Sequence, residues 1–260
     1  MNTHTMNTHI IDIDKCNREG YELTEYDKIR IQPFKDVIDS NQVKFRFLGT
    51  IDYWFQMTAF ERLGEDTRQL VFSLQKLFKC GIQRFHFNEK HLNPQGRNYG
   101  GFHRHWLMED IPDSVWLNPK KQLAKFMQEF DKKYDSHLYF SCLSNEVPSD
   151  ELKIKFIRKV IRDLHRSCPN GYAGLDIRPI YNLDGILSYC TKQNTNNIPN
   201  DYVIDTGNSS HLDNEFVRRM QSYIRHHCKQ QLCNQHNQPN TAEMNMESVF
   251  ASASHFMNWV

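Results

Sequence analysis

The stretch GFHRHWLME at residues 101–109 decides the fold and carries the most informative side chains of the chain. Apolar and polar residues alternate along it, which predicts a half-buried β-strand. Side chains two positions apart leave a strand on the same face, so the imidazoles of His103 and His105 are expected to lie together. Two neutral imidazoles supply half of a four-coordinate metal site, and a third ligand then has to come from a neighbouring element. The alternative is a strand that merely contains both histidines, because the pattern alone has low specificity.

Segments of strand or helix periodicity surround this stretch on both sides. Strands are predicted at 43–52, 81–89 and 174–180, with a shorter one at 137–142. Helices are predicted at 66–78, 120–134, 149–166, 182–193 and about 213–227. In the first strand, the side chains of Phe45 and Phe47 are expected on one face. Because strands alternate with helices and a hairpin joins the second strand to 101–109, the chain is predicted to be α+β, with flanking helices on an antiparallel sheet.

The composition favours a polar globular protein in a reducing compartment. Of the 260 residues, 39% are apolar and 12% aromatic, and the mean hydropathy is −0.70, which is polar but too aromatic for wholesale disorder. No apolar run approaches the roughly 20 residues of a membrane span, and the amino terminus lacks a signal-peptide pattern. The 7 cysteines, odd in number and mostly scattered, are typical of free thiols. A cytoplasmic protein with no membrane partner is therefore expected.

The chain divides into three parts. Residues 1–40 are polar and weakly patterned, and are expected to form an extension with at most one short element. Residues 41–205 hold the alternating strands and helices and are the predicted main domain. Residues 206–260 are predicted to be a helix followed by a polar mobile tail rich in asparagine and glutamine.

A second motif, YCTKQ at residues 189–193, lies in the short helix after the last predicted strand. Tyr189, Lys192 and Gln193 stand at i, i+3 and i+4 and so share one helix face. A phenol is a poor nucleophile near neutral pH because its ordinary pKa is about 10. A lysine one turn away favours the phenolate, or stabilises charge on a nearby phosphate. Tyr189 and Lys192 are therefore candidate catalytic residues, with a tyrosine at the edge of the core beside a long lysine as the alternative.

Together the two motifs resemble those of the HUH endonuclease superfamily, and specifically its single-tyrosine initiators of rolling-circle replication. The resemblance extends over residues 43–193, so that 41–205 is the expected HUH endonuclease domain. Arg104 departs from the pattern, since the family usually has an apolar residue between the histidines. The positions that match the family's first, metal and nucleophile motifs are FLGT at 47–50, His103 with His105, and Tyr189 with Lys192.

The resemblance implies a ferredoxin-like or RRM-like core and a specific chemistry. Tyr189 would attack a scissile phosphate of single-stranded DNA, leaving a 5′-phosphotyrosine and a free 3′-hydroxyl that starts rolling-circle replication of a plasmid or phage. The cofactor would be a divalent metal, Mg²⁺ or Mn²⁺, and imidazole ligands suit Mn²⁺ at least as well. The implied partners are single-stranded DNA or a DNA hairpin at an origin, and a separate host helicase, because no GxxxxGK[ST] segment is present. A single-tyrosine transposase shares this chemistry.

The resemblance also implies an acidic third ligand on the strand before the histidines, where Glu89 stands. Periodicity does not settle the matter. If Phe85 and Phe87 face the main core, Glu89 faces it as well unless a bulge intervenes. Glu89 is the expected ligand, with His86 next, and Gln193 is a further candidate.

DNA contact has to come from local charge, because the net charge is only +1. The helix at 149–166 is strongly basic and its apolar stripe is expected to face inward, which would expose the basic side to a phosphate backbone. The alternative is a solvated helix face with no ligand. Arg178 stands beside the nucleophile helix. The predicted DNA-binding residues are Lys153, Lys155, Arg158, Lys159, Arg162 and Arg178.

Two other classes of protein remain open at this point. A cupin-type metal enzyme is suggested by the HxH pair followed by Glu109, although the chain has too much helix for a jelly roll. A non-catalytic RRM-like nucleic-acid-binding protein would carry exposed aromatics on its central strands, where this sequence has histidines. A small zinc site formed by Cys228, Cys233 and His236 has a spacing unlike the common zinc patterns.

Overall fold

The computed structural model describes residues 12–53, 60–92, 95–96, 99–165, 172–193 and 203–236. A four-stranded sheet lies at the centre, with the strand order β2-β3-β1-β4 and every neighbouring pair antiparallel. This confirms the predicted antiparallel sheet with flanking helices. The strands are β1 (Phe45–Tyr53), β2 (Arg84–Lys90), β3 (Phe102–Glu109) and β4 (Tyr172–Pro179).

Helices cover both faces of the sheet. In the described part of the chain, none of them is both long and apolar enough to cross a membrane. The helices are α1 (Ile13–Cys16), α2 (Glu25–Ser40), α3 (Phe60–Phe78), α4 (Asp113–Leu117), α5 (Lys121–Tyr134), α6 (Leu138–Leu143), α7 (Asp150–His165), α8 (Leu183–Thr191) and α9 (Asn214–His236).

Each face of the sheet has its own hydrophobic core. On the side that we call the α7 face, helices α3, α5 and α7 pack against Trp106 and other strand residues. On the opposite side, the α8 face, helices α2, α8 and α9 pack against Phe85, Phe87 and Leu107. Because both faces are covered, consecutive residues of β1, β2 and β3 are buried although polar residues interrupt these strands.

Phe45 and Phe47 lie on opposite faces of the sheet, so the expectation of a shared face is wrong. Phe45 is paired with Glu109 and Phe47 with Met108, which leaves one extra residue, a β-bulge, in β1 between them. A bulge changes the face on which the preceding residues lie. Phe45 consequently contacts Phe85 on the α8 face, with 4.8 Å between ring centres, while Phe47 is in the core of the α7 face.

The segment predicted as a strand at 137–142 is the helix α6. Asp131 of α5 accepts hydrogen bonds from the backbone N–H groups of Leu138 and Tyr139, both at 2.8 Å, and so satisfies the first turn of α6. Leu138 and Cys142, one turn apart, are buried. Six residues hold too little periodicity to separate a helix from a strand, and a side chain from another helix decides the outcome.

The first described residues contain more structure than the single short element that was expected. Helix α2 has 16 residues and begins at a capping box of Thr24 and Asp27. Its Phe34 is fully buried and its ring centre lies 5.5 Å from that of Phe87 on the α8 face. The segment before the sheet is therefore part of the core of that face.

The segment after α8 also completes the sheet. The backbone N–H of Asn88 donates to the carbonyl of Val203, and that of Ser210 donates to the carbonyl of Arg84, both at 2.8 Å. Residues 203–210 thereby cover the free edge of β2, which would otherwise expose unpaired backbone groups. Helix α9 runs to His236, beyond the predicted end. The polar tail from 237 and the side chains of the zinc alternative lie outside what the structure describes.

Gly49, in the FLGT sequence of β1, is required by packing. It is paired with Trp106 of β3, and a Cβ atom at Gly49 would lie 2.0 Å from the Trp106 Nε1 atom. The glycine lets the indole lie flat over the backbone of β1, and any other residue would force the indole to move.

Candidate metal and tyrosine site

Three predicted metal ligands come together on the α8 face. In the antiparallel pairing of β2 and β3, Glu89 stands opposite His103, and His105 lies two residues further along β3. The Nε2 atoms of the two histidines are 3.0 Å apart, and Glu89 Oε2 lies 3.4 Å from that of His103 and 3.0 Å from that of His105. One ligand atom from each of these residues lies within 4.8 Å of the others. Two imidazole nitrogens and one carboxylate oxygen can hold a divalent cation.

The register of β2 explains why Glu89, rather than His86, reaches the histidines. Phe85, Phe87 and Glu89 share the α8 face, with the phenylalanines in the core and Glu89 near the end of the strand. His86 is fully buried and its ring faces Trp106 at 6.0 Å between centres, so it lies on the α7 face. Burial and the charges of two arginines hold the pKa of His86 well below its ordinary value. His86 is a neutral core residue, away from the cluster.

Gln193, the other alternative ligand, is bound to the backbone. Its Oε1 accepts from the N–H of Lys90 at 2.8 Å, and its Nε2 donates to the carbonyl of Lys90 at 2.9 Å. Both amide atoms are used in this contact, which ties the end of α8 to the end of β2. Gln193 thus fixes the helix to the strand that carries Glu89.

The protonation states of His105 and Glu89 suit a bound cation. Burial lowers the pKa of His105 to about 4, although its contact with Glu89 acts in the opposite direction, so the imidazole is neutral at pH 7. Burial raises the pKa of Glu89, but its contacts with His103 and His105 and the charge of Lys192 outweigh it and bring the pKa far below its ordinary value. Thr50 Oγ1, 2.9 Å from His105 Nδ1, can accept the ring proton and leave the Nε2 lone pair for a ligand bond.

Tyr189 and Lys192 lie directly against this cluster. The Tyr189 and His105 rings are edge to face, with 5.2 Å between their centres. Lys192 Nζ lies 3.3 Å from the centre of the Tyr189 ring and 2.5 Å from Glu89 Oε2. The end of α8 therefore brings Tyr189 against His105 and Lys192 against Glu89.

The expected effect of Lys192 on the phenol is not found. Burial raises the pKa of Tyr189, and the negative charge of Glu89 raises it further. The ammonium of Lys192 pairs with Glu89 and lies over the face of the ring, so its charge is balanced by the carboxylate. Burial also lowers the pKa of Lys192 itself. In this arrangement the phenol is protonated at neutral pH, and a further positive charge near Glu89 would favour its ionisation.

Two polar residues beside the cluster have no counterpart in the sequence-based prediction. His91 Nε2 lies 3.2 Å from Asp52 Oδ1, and the ring centres of His91 and His103 are 4.5 Å apart. Alternation along β1 puts Thr50 and Asp52 on one face, but only the pairing of β1 with β3 shows that this is the face of the histidines. The register between strands far apart in sequence is not encoded in local periodicity.

Arg104, between the two histidines, points to the opposite face and is fully buried. It donates to Asn88 Oδ1 and to Thr67 Oγ1, both at 2.8 Å, and its Nη2 lies 2.8 Å from Asp205 Oδ2. A buried charge needs such partners to be tolerated. Arg104 thus has a structural role, because it joins β3 to β2, to α3 and to the segment that covers the sheet edge.

The basic helix predicted to bind DNA packs on the α7 face, across the sheet from Tyr189. Lys153 is buried rather than exposed as expected, and its Nζ lies 3.4 Å from Asp110 and 3.5 Å from Asp113. Arg162 is exposed. The remaining ion pairs of α7 join Lys155 to Glu151, Lys159 to Asp163 and Arg158 to Asp176. Most of this positive charge is therefore balanced locally.

Arg178 is the predicted DNA-binding residue that lies on the side of the site. It is paired with Leu48, a core residue of the α8 face, and its charge acts to lower the pKa of Tyr189. Its guanidinium is oriented by Asp176, which accepts from Nε at 2.7 Å, and by Asp14. A guanidinium on this face can contact a phosphate that displaces one of these carboxylates.

No protein-family model, curated protein or solved structure matches this chain.

Proposed function

We propose that this chain is a metal-dependent, sequence-specific single-stranded DNA nickase and ligase of the HUH type. The observation that carries the proposal is the contact of Tyr189 with His105, one member of the cluster that also contains Glu89 and His103. A phenol, two imidazoles and a carboxylate at this spacing are the groups that tyrosine transesterification on a phosphodiester requires.

The topology supports a ferredoxin-like or RRM-like core for this enzyme. The strands are joined in the order β-α-β-β-α-β, with extra helices before β4, and β1 and β3 are the central strands. The histidines thus lie on a central strand and Glu89 on the adjacent edge strand. A cupin is not supported, since the described chain forms one four-stranded sheet instead of a jelly roll.

Glu89, His103 and His105 fit a divalent cation, Mg²⁺ or Mn²⁺, and the two imidazoles suit Mn²⁺ particularly well. When bound there, such an ion would polarise a non-bridging phosphate oxygen and offset the negative charge of Glu89. The chain contributes the neutral imidazole of His105, the ionised carboxylate of Glu89 and, through Thr50, a fixed ring orientation for His105.

In the proposed reaction the Tyr189 oxygen attacks the scissile phosphorus and the bond from phosphorus to the 3′-oxygen breaks. The phenol gives up one proton and the leaving oxygen takes up one, so a 5′-phosphotyrosine and a free 3′-hydroxyl result. Lys192 and Arg178 lie where they would stabilise charge on the phosphate. Attack by the 3′-hydroxyl on the phosphotyrosine reverses the reaction and reseals the strand.

The proposed role is initiation of rolling-circle replication of a plasmid or phage, with a host helicase to unwind the duplex. A single-tyrosine transposase uses the same chemistry and is the second candidate. A non-catalytic RRM-like protein is disfavoured, because the central strand β3 presents histidines and α8 covers them, where such a module would present exposed aromatics.

The test is a covalent adduct. The purified chain is incubated with Mn²⁺ and a library of single-stranded oligonucleotides labelled at the 3′ end, and the products are separated in SDS. We expect a labelled, SDS-resistant adduct that EDTA prevents. His103→Ala should abolish it, while His137→Ala, which removes an exposed histidine outside the site, should not. The absence of an adduct with every oligonucleotide, or an adduct that survives His103→Ala, would contradict the proposal.

A further inference from the structure

An ion pair on α2 faces the helix that carries the tyrosine. Asp27 Oδ1 and Arg30 Nη2 are 2.5 Å apart, and the Arg30 side chain is only 6% exposed. Both residues belong to the segment before the sheet, which carries none of the recognised motifs. A charged pair held away from water needs further hydrogen bonds, and these come from α8.

The contacts of this pair fall on the residues next to Tyr189 and Lys192. Arg30 Nη2 donates to the carbonyl and the hydroxyl of Ser188 at 3.0 and 3.1 Å, and Arg30 Nε donates to Thr191 Oγ1 at 3.1 Å. The Ser188 hydroxyl donates in turn to Asp27 Oδ1 at 2.9 Å. Ser188 immediately precedes Tyr189, and Thr191 immediately precedes Lys192.

These contacts fix the rotation of α8 about its own axis. Successive side chains of a helix point about 100° apart, so a grip on Ser188 and Thr191 determines the direction in which Tyr189 and Lys192 point. The two ends of α8 are held separately. Gly185 packs so closely on α1 that a Cβ there would lie 2.0 Å from the Cys16 carbonyl oxygen. At the other end, the helix is tied to β2 through Gln193. The contacts at its two ends fix the position of α8, and the Asp27–Arg30 pair fixes its rotation about the helix axis.

We propose that Asp27 and Arg30 are positioning residues for the transesterification, which orient Tyr189 and Lys192 toward the Glu89, His103 and His105 cluster. This inference rests on the proposed role of Tyr189. It makes helix α2 part of the catalytic unit. Loss of the Arg30 contacts alone would leave Glu89, His103 and His105 in place on β2 and β3 but would release the fixed direction of the nucleophile. An error of about 1 Å in the position of a reacting group is enough to slow a reaction about 100-fold.

The experiment compares Arg30→Gln and Arg30→Lys with Met127→Ala, a buried change in α5 on the far face of the sheet. Arg30→Gln leaves the capping role of Asp27 in place. We expect single-turnover adduct formation to slow by about 10- to 100-fold in Arg30→Gln, with Mn²⁺ affinity and oligonucleotide affinity within about 3-fold of wild type. The rate of adduct formation by Arg30→Lys should lie between those of wild type and Arg30→Gln. Lysine keeps the charge but cannot make the forked contacts with Ser188 and Thr191.

Hydrogen exchange provides a readout that needs no activity. The amides of residues 186–191 should exchange about tenfold faster in Arg30→Gln than in wild type, and Met127→Ala, even when equally destabilised, should show no such local change. Exchange in α8 that is unaltered by Arg30→Gln, or a loss of adduct formation no greater than in Met127→Ala, overturns the inference. A wild-type chain that forms no adduct, while exchange responds as expected, contradicts the proposed function and supports the orientation of α8 by Arg30.

Discussion

The Tyr189 ring meets the His105 imidazole edge to face, with 5.2 Å between their centres. The two residues are 84 positions apart in the sequence and come from the two different motifs. The contact fixes the ring by packing, since aromatic pairs in this geometry attract each other without any hydroxyl group. The phenol oxygen can therefore be removed without losing the ring contact that holds α8 against the sheet.

Tyr189→Phe should abolish the covalent adduct and leave the fold unchanged. The substitution removes the nucleophilic oxygen and retains the ring that packs on His105. We expect the free energy of unfolding to change by less than about 1 kcal/mol and Mn²⁺ binding to persist. Tyr181→Phe is the matched control, because it removes the hydroxyl of a tyrosine that is 69% exposed. This variant should form the adduct at the wild-type rate. An adduct that persists in Tyr189→Phe would assign the nucleophile to another residue.

Thr50→Val should weaken metal binding without removing a ligand. Valine has nearly the shape of threonine but cannot accept the hydrogen bond from His105 Nδ1, 2.9 Å away. Partners of this kind fix the ring orientation of a ligating histidine, and their loss typically weakens metal affinity about 10- to 100-fold. Titration of the protein with Mn²⁺, followed by electron paramagnetic resonance, measures the change. Thr206→Val, outside the site, should bind as wild type does, and equal affinities in the two variants would show that Thr50 does not orient a ligand.

Each of the two motifs is local, so the face that its residues share can be predicted from the sequence. The spacing of His103 and His105 puts them on one side of a strand, and the spacing of Tyr189 and Lys192 puts them on one side of a helix, whatever the rest of the chain does. The structure brings the two pairs together. Periodicity alone does not assign Glu89 to the site. The alternation that places it on the face of the histidines also places it on the face of Phe87, a core residue.

What the sequence did not predict depends on contacts between distant residues. The bulge before Phe47 arises from the pairing of β1 with β3, and α6 is capped by Asp131 of another helix. The predicted lowering of the phenol pKa by Lys192 is not found, because burial raises that pKa and Glu89, 103 positions away, pairs with the lysine. Local patterns predict which face a side chain takes, and they do not predict the charged partner it meets there.

The predicted domain boundary at residue 205 can be tested by truncation. A chain ending there would lack α9, whose Met220 and Ile224 are buried in the core of the α8 face. It would also lose part of the segment that pairs with the edge of β2. We expect this chain to show no cooperative unfolding transition in urea, followed by circular dichroism. In the full chain, Ile224→Ala should cost about 2–5 kcal/mol, and Ser222→Ala, on the exposed side of α9, should cost little. A truncated chain that unfolds cooperatively would show that α9 is dispensable for the core.

The pH dependence of stability should depend on Asp27. Burial raises the pKa of this carboxyl, but hydrogen bonds from Thr24 and Ser188 and the charge of Arg30 outweigh it, so the pKa in the folded state is below the ordinary value. A carboxyl of this kind stabilises the fold fully above its unfolded pKa of about 3.9. The contribution is lost as the pH falls through the lower, folded pKa.

We expect the free energy of unfolding of the wild type to decrease between about pH 5 and pH 2 more steeply than that of Asp27→Asn. Asp36→Asn, on the exposed side of the same helix, should follow the wild type. Equal slopes for wild type and Asp27→Asn in urea titrations would mean that the ion pair facing α8 is not formed in solution, and the orientation of Tyr189 would then need another cause.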